Sequence, residues 1–310
     1  MFCCALIIVT IFSIAPPASG AVFDDTPDQV PESPWSATLE TGFIYDDNVF
    51  QEKEARTSDT VWTSRILLGY LQGEVFVSAL ALMDRYRDNT VLNTDFYEIG
   101  IEGPLGRRNY GSLFLNLTPT APLDKADTGP PFELASRGLN LLLDHELSRG
   151  RIGFSFAFTR LDYNDAFNAK DSDITALGPT GFYIFSEDWT ISGEAAFERG
   201  RAAGGFVGDR RDDISYRATV LSFQTRYHFS PRVNFRLKYD LRRKRFTTQT
   251  DDPLHAGRLD QNQRFRIENE WRPTPTIALR AGFEAVNLRS SRPVFAFASR
   301  RWLFSASYVF

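Results

Sequence analysis

The feature that most constrains this chain is a strict alternation of apolar and polar residues in its last third. Over residues 233–242 the apolar positions are Val233, Phe235, Leu237, Tyr239 and Leu241. The same period recurs at 264–272, 277–284 and 302–310. Successive side chains of a β-strand point to opposite faces of the sheet, so a period of two indicates strands. Each segment is therefore predicted to be a strand with one apolar and one polar face.

The length of these segments separates a membrane sheet from a soluble one. They run for about ten residues, which a tilted strand needs to cross a bilayer, whereas soluble strands cluster around five or six. A mean hydropathy of -0.27 is too polar for a bundle of membrane helices. The 27 Phe, 11 Tyr and 5 Trp residues are too many for a disordered chain. The sequence therefore predicts an all-β, antiparallel, up-and-down transmembrane β-barrel.

Turn residues divide the chain into alternating short and long connectors, as outer-membrane barrels require. The short connectors are predicted at 71–73, 103–109, 148–150, 186–188, 230–232 and 272–275. The long connectors are predicted at about 47–59, 87–94, 119–132, 163–172, 200–212, 245–260 and 289–300. This pattern gives 14 strands. The weakest is 173–185, because Pro179 cannot donate a hydrogen bond and is expected to need a bulge; without that hairpin 12 strands remain.

The two ends of the chain carry targeting and assembly signals. Residues 1–21 are predicted to be a signal peptide, with an apolar core followed by small residues, and 22–34 to be a Pro-rich periplasmic linker before a barrel at 35–310. The C-terminal aromatics Trp302, Phe304, Tyr308 and Phe310 occupy one strand face and end the chain. This terminus resembles the assembly signal of Gram-negative outer-membrane β-barrels. The resemblance implies an outer-membrane location and recognition by the barrel-assembly machinery.

A second resemblance concerns the first strand and the connector after it. Residues 42–49, Gly-Phe-Ile-Tyr-Asp-Asp-Asn-Val, resemble the opening of barrels in surface lipoprotein assembly modifiers and in exopolysaccharide-associated outer-membrane proteins. This resemblance implies an export role with a periplasmic partner. It stands as the alternative to a channel that acts alone.

Charge is distributed unevenly along the chain. Residues 199–310 contain 22 Lys and Arg against 10 Asp and Glu, a net charge of +12, whereas residues 1–198 contain 13 against 29, a net charge of -16. Because the basic residues alternate with apolar ones, they indicate a strand face and not a nucleic-acid site. Residues predicted to line the pore are Arg236, Lys238, Asp240, Arg242, Arg264, Arg266, Glu268, Glu270, Arg280 and Glu284. Either the basic members attract anions, or ion pairs across the strands neutralise them.

Other chemistry finds little support in the sequence. The imidazoles of His145, His228 and His255 are remote from one another and lack the nucleophile pattern of outer-membrane phospholipases, so they are interpreted as interfacial or solvated. The acidic loop residues, such as Asp212, Asp213, Asp251 and Asp252, lack the spacing of a calcium loop and are interpreted as solvated charge. We therefore expect no enzymatic activity, no metal and no cofactor.

These observations predict a porin-like channel in the bacterial outer membrane. About 14 strands enclose more space than side chains alone fill, so passive diffusion of small polar solutes, with anions preferred, is the expected function. The expected partners are outer-membrane lipid and lipopolysaccharide, the assembly machinery and, for an export barrel, a periplasmic protein.

Overall fold

The computed structural model describes residues 33–53, 56–122, 133–207, 210–248 and 252–310. Sixteen strands follow one another along these parts of the chain. They are β1 (Trp35–Asp46), β2 (Asp59–Gln72), β3 (Val75–Tyr86), β4 (Thr94–Gly106), β5 (Asn109–Pro122), β6 (Glu133–Leu147), β7 (Gly150–Tyr163), β8 (Ser172–Ser186), β9 (Trp189–Ala202), β10 (Gly205–Val207), β11 (Arg210–Asp212), β12 (Tyr216–Ser230), β13 (Val233–Phe246), β14 (Leu259–Thr274), β15 (Ile277–Ser290) and β16 (Phe297–Val309).

Fourteen of these strands form a closed antiparallel barrel. Neighbouring strands pair in chain order, and β1 pairs with β16 from Thr38 opposite Val309 to Asp46 opposite Arg301. The short strands β10 and β11 form a separate ribbon within the connector between β9 and β12. Three short 3-10 helices, Thr90–Leu92, Asp165–Lys170 and Pro293–Phe295, lie in other long connectors. Closure leaves the barrel without a free sheet edge.

The predicted fold and the strand count of 14 are confirmed, and the alternative of 12 strands is wrong. The predicted hairpin that contains Pro179 exists, because Pro179 lies within β8 opposite Phe154. The expected bulge there is absent, since Leu177 pairs with Phe197 and Thr180 with Glu194 in one unbroken register. The strands approach closely at this point: a Cβ on Gly178 would lie 1.8 Å from the Ala195 carbonyl oxygen. The absence of a side chain on Gly178, next to the proline, lets β8 and β9 stay in close register without the extra residue of a bulge.

The outer face of the barrel is apolar. Leucine, isoleucine, phenylalanine and tryptophan side chains at alternate strand positions are exposed, for example Ile99, Leu115, Phe154 and Leu221. Trp35, Trp189 and Trp271 lie near the short-turn end, and Trp62 lies near the long-connector end. An apolar band with aromatic residues toward its rims is the surface that a barrel presents to a bilayer. The chain is thus a β-barrel of the bacterial outer-membrane type.

The described residues include no helix long and apolar enough to cross a membrane. Three clusters of buried apolar residues lie toward the long-connector end of the described barrel, where inward strand residues meet the connectors. The predicted signal peptide at 1–21 and nearly all of the 22–34 linker lie outside the described residues.

Candidate functional site: the charged wall of the lumen

The ten predicted pore residues lie on one face of three adjacent strands. In β13 and β14 the even-numbered positions carry them, and the odd-numbered positions carry apolar residues such as Leu237, Ile267 and Trp271. Trp271 and Leu279 are exposed on the outer surface, so the opposite face points into the lumen. The inner wall therefore contains Arg236, Lys238, Asp240, Arg242, Arg264, Arg266, Glu268, Glu270, Arg280 and Glu284.

Three of the four carboxylates of this wall, Glu268, Glu270 and Glu284, are each shared between two guanidinium groups. Glu268 accepts hydrogen bonds from Arg266 and from Arg236 Nη1, the latter at 3.2 Å. Glu270 accepts from Arg272 Nε at 2.7 Å and from Arg280 Nε at 2.6 Å.

The third carboxylate repeats the arrangement. Glu284 lies 3.2 Å from Arg301 Nη1 and 3.8 Å from Arg264 Nε. Sharing of this kind holds the side chains in place while leaving more positive than negative charge on the wall.

The same network closes the barrel. Glu40 of β1 lies 3.0 Å from Arg280 Nη1 and accepts a hydrogen bond of 2.7 Å from Ser305 of β16. Asp46 of β1 accepts from Arg301 Nε at 2.7 Å and from Ser299 at 2.7 Å. The charged wall therefore continues across β16 into β1. These partners of the predicted residues could have been found by extending the strand alternation to β1 and β16.

A second set of contacts connects β13 to the strands before it. Arg242 pairs with Glu198 of β9, and Tyr216 of β12 donates its hydroxyl to the same carboxylate. Asp240 accepts a hydrogen bond of 2.7 Å from Ser222 and lies 3.6 Å from Lys238 Nζ. The predicted ion pairs across the strands are therefore present, and among the ten predicted residues six cations stand against four carboxylates. The attraction of anions stays a prediction.

Exposure distinguishes the cations that meet lumen water from those that serve as structure. The side chains of Arg266 and Lys238 are 39% and 38% exposed, and that of Arg236 is 30% exposed. The Arg280 side chain is 19% exposed and is bound by two carboxylates. Among the predicted residues, Arg266, Lys238 and Arg236 are thus the cations that a solute would encounter.

The connector between β1 and β2 crosses the mouth of the barrel. Val49 and Phe50 of this connector pack in one buried cluster with Leu134, Leu161 and Ile174, which are inward residues of β6, β7 and β8. Those strands lie nearly opposite β1 in the order of the barrel. The crossing segment is also anchored at its start, since Asn48 Nδ2 donates to the carbonyl oxygens of Glu52 and Ala298.

The sequence reasoning missed this crossing. Its only signal was the apolar pair Val49 and Phe50 directly after a polar turn in an otherwise polar connector. A connector that folds into the barrel narrows its opening. Because Val49 and Phe50 hold the first long connector inward, this connector forms a constriction at the mouth.

On the other side of the mouth, several connectors meet in a buried polar cluster. Lys170 pairs with Asp212, and His255 Nδ1 donates to Asp252 Oδ2 at 2.9 Å. His255, Asp252 and Arg258 are fully buried, and the Arg258 guanidinium lies 3.5 Å from the centroid of the Phe295 ring. The prediction that His255 and Asp252 are solvated loop residues is therefore wrong. Asp213, also predicted to be solvated, is buried, and Asp251 lies outside the described residues.

The protonation states of this cluster follow from its surroundings. Burial lowers the pKa of His255, and the hydrogen bond and charge of Asp252 offset this effect only in part. Burial acts to raise the pKa of Asp252, but the hydrogen bonds from the Asp213 amide and from His255 outweigh it and hold that pKa below its usual value. A neutral imidazole beside an ionised carboxylate is the arrangement that results at neutral pH.

One group in this cluster has the residue types of a metal site. The ligand atoms of Asp212, Asp252 and His255 lie within 4.8 Å of one another. However, Lys170 already neutralises Asp212, and Asp252 accepts from the amides of Asp213, Leu254 and His255 as well as from the imidazole. Asp212 Oδ1 and His255 Nε2 are buried without a hydrogen-bond partner among the described residues, but these ion pairs and hydrogen bonds already occupy the other ligand atoms. The arrangement is that of an ion-pair cluster that fastens the connectors together. The other two histidines lie near short turns, where His145 Nδ1 is 2.9 Å from Asn109 Oδ1.

Comparisons with known proteins agree on the fold. No protein-family model and no curated protein sequence matches the chain. Among solved structures, the CymD monoaromatic hydrocarbon channel is similar with a TM-score of 0.54 at 9% identity, covering 89% of this chain and 88% of that one. The anion-selective porin from Comamonas acidovorans has a TM-score of 0.51 at 8% identity, covering 89% and 98%. The outer membrane channel DcaP of Acinetobacter baumannii has a TM-score of 0.50 at 13% identity, covering 89% and 96%.

These likenesses show a shared outer-membrane barrel fold over most of the chain. At such identities they assign no solute to it, because function resides in the side chains of a site and not in the fold.

Proposed function

We propose that this protein is an outer-membrane channel for the passive diffusion of small polar solutes, with a preference for anions. The observation that carries the proposal is the inner wall of β13, β14 and β15. There the cations of Arg266, Lys238 and Arg236 face the lumen, and the carboxylates of Glu268, Glu270 and Glu284 are each shared between two guanidinium groups. A surplus of positive charge on a water-filled wall raises the local concentration of anions and lowers that of cations.

The constriction sets the size of the solute. Val49 and Phe50 fasten the first long connector to the opposite wall, so solutes must pass beside it. Size is therefore limited at the mouth, whereas charge is selected farther down the lumen. The 14-stranded barrel is wide enough for both features, since side chains fill a barrel of about eight strands.

Single-channel recording in planar bilayers tests the proposal. We expect small, steady conductance steps from the refolded mature protein, and larger steps from a Val49→Ser, Phe50→Ser double variant whose connector no longer packs on β6, β7 and β8. A Leu115→Ser variant on the outer face serves as the control and should keep the wild-type step size. Folded protein that conducts no ions in either the wild-type or the double variant would overturn the channel proposal.

The constriction at the mouth also supports a second candidate function. The barrel would export a surface polymer or lipoprotein and would open when a periplasmic partner binds it. The same recording distinguishes the two. An export barrel would be silent as the wild type and would conduct only after the connector is released.

A further inference from the structure

The outer face of the barrel carries a basic groove that channel activity does not use. The groove has a volume of about 810 Å³ and lies over β7, β8, β9, β12 and β13. Its basic members are five exposed arginines on outward positions: Arg199, Arg201, Arg217, Arg243 and Arg245.

The strand register places three of these arginines side by side in one row and the other two in the rows next to it. Arg217 of β12 lies opposite Arg199 of β9 and opposite Arg245 of β13. Arg243 lies opposite Thr219, one outward position below Arg217. All five lie near the strand ends that lead into the long connectors. In barrels of this kind the long connectors are on the outer side of the membrane.

The groove changes character toward the middle of the membrane. Two of its apolar lining residues, Leu177 and Phe197, pair with each other one outward position toward the short turns from Arg199, in the register row of Thr219 and Arg243. The third, Phe158, lies in the row of Thr175 and Arg199. The Phe197 ring is 69% exposed on the outer surface. The groove therefore carries a row of arginines with exposed apolar side chains beside and below it, matching an amphiphile with a negatively charged headgroup and apolar chains.

Within the described residues, no carboxylate forms an ion pair with any of the five arginines. Asp173 also lines the groove, opposite Arg201 in the register, and Glu198 borders it but is bound to Arg242 on the inner side. Guanidinium groups on a lipid-facing surface are tolerated at the interface and not at the middle of the bilayer. Five of them together with one carboxylate leave strong positive charge at the level of the lipid headgroups.

We propose that this groove binds a phosphorylated glycolipid of the outer leaflet, the lipid A part of lipopolysaccharide. The phosphate groups would accept hydrogen bonds from Arg199, Arg217 and Arg245, because the planar guanidinium group binds two phosphate oxygens at once. Acyl chains would lie on Phe197 and Leu177. Binding on the outer face fixes the depth and rotation of the barrel in the outer leaflet without touching the lumen.

The test is lipid binding to the purified barrel in detergent, measured by native mass spectrometry. The probes are bisphosphorylated lipid A and the same lipid A with both phosphates removed. We expect bisphosphorylated lipid A to bind the wild type in one-to-one stoichiometry. An Arg217→Gln, Arg245→Gln variant should bind it at least about tenfold more weakly. The matched control is Arg300→Gln, which removes an exposed arginine near the long-connector end of β16, outside the groove.

The remaining outcomes decide the proposal clearly. Equal binding of both lipids to the wild type would overturn it, because only the apolar surface would then be recognised. Equal binding of bisphosphorylated lipid A by the wild type and the groove variant would overturn it as well. Unchanged heat-modifiable mobility of the variants shows that they fold, and unchanged single-channel conductance of the groove variant separates this site from the proposed channel.

Discussion

Replacing the two most exposed of the predicted wall cations, in a Lys238→Ser, Arg266→Ser variant, should weaken the anion preference that we propose for the channel. The wall of a 14-stranded barrel lies about 10 Å from the lumen axis. At that distance in water a unit charge changes the energy of an ion by about 0.4 kcal/mol, and two charges by about 0.8 kcal/mol. At physiological salt, with a Debye length of about 8 Å, screening reduces this to about 0.25 kcal/mol.

This energy acts with opposite sign on anions and cations, so the permeability ratio responds to twice its value. The anion-to-cation ratio should fall about twofold in the variant at physiological salt. In 0.01 M salt the Debye length is about 30 Å, the energy is about 0.6 kcal/mol, and the ratio should fall about sevenfold. The salt dependence is as informative as the shift, because a change of pore size would not follow the screening length.

The assay is the reversal potential of the refolded protein in a potassium chloride gradient, measured at both salt concentrations. The charge-matched control is Arg289→Ser, Arg300→Ser, which removes two cations from the outer face of β15 and β16. The reasoning is refuted by an unchanged reversal potential in the wall variant, or by an equal shift in the control. An unchanged potential would mean that Glu268 and Asp240 already cancel the field of these cations in the lumen. An equal shift in the control would mean that the effect does not arise at the lumen wall.

Three further predictions address orientation, pH and assembly. Leu237→Arg places a charge on the lipid face and should cost about 2 to 4 kcal/mol in a urea titration of folding into vesicles, whereas Lys238→Ser on the lumen face should cost little; equal costs would mean that the strand register is wrong. The lowered pKa of His255 means that the folded connectors gain stability from the neutral imidazole above about pH 6.5 and lose it as the pH falls below that value, since the unfolded state then takes up the proton first. Limited proteolysis at pH 7.5 and pH 5 should therefore cut the connector at 252–258 faster at pH 5 in the wild type, with a smaller pH effect in His255→Gln, and a pH effect that survives this replacement would exclude His255 as its source. Deleting Phe310, whose amide donates to the Ala37 carbonyl oxygen at 2.9 Å, should reduce the yield of protease-resistant barrel in the outer membrane, and an unchanged yield would show that the C-terminal aromatic is dispensable for assembly.

The barrel was predictable because its strands repeat one local rule. Each strand must alternate to satisfy lipid on one side and water on the other, so the period in the sequence reports the fold directly. The same rule placed the ten wall residues on one face. The C-terminal aromatics Trp302, Phe304 and Tyr308 likewise lie on the outer face of β16, where Phe304 stacks on Phe43 of β1 with ring centroids 5.2 Å apart. Their role as an assembly signal stays a prediction.

The connectors at the mouth were not predictable in this way. Their structure depends on groups of residues far apart in sequence, such as the buried cluster that contains both Phe50 and Leu161, or His255 with the more distant Asp212. Polar composition alone suggested solvated loops, because charged residues are buried only when other parts of the chain satisfy them. Lys170 pairs with Asp212, and Asp252 accepts a hydrogen bond from the Asp213 amide. The local sequence pattern does not predict a partner that lies in another connector.

The four consecutive basic residues 242–245 show how one stretch of sequence supplies two sites. Strand alternation turns Arg242 and Lys244 into the lumen, where Arg242 meets Glu198 and the Lys244 ammonium lies 3.9 Å from the centroid of the Tyr216 ring. It turns Arg243 and Arg245 outward, into the groove on the lipid side. Because outward arginines are costly at the middle of a bilayer, Arg243 and Arg245 mark the edge of the hydrocarbon region on this side of the barrel. The basic surplus of the last third of the chain is therefore divided by the geometry of the strand between an ion-paired inner wall and an outer surface suited to phosphate.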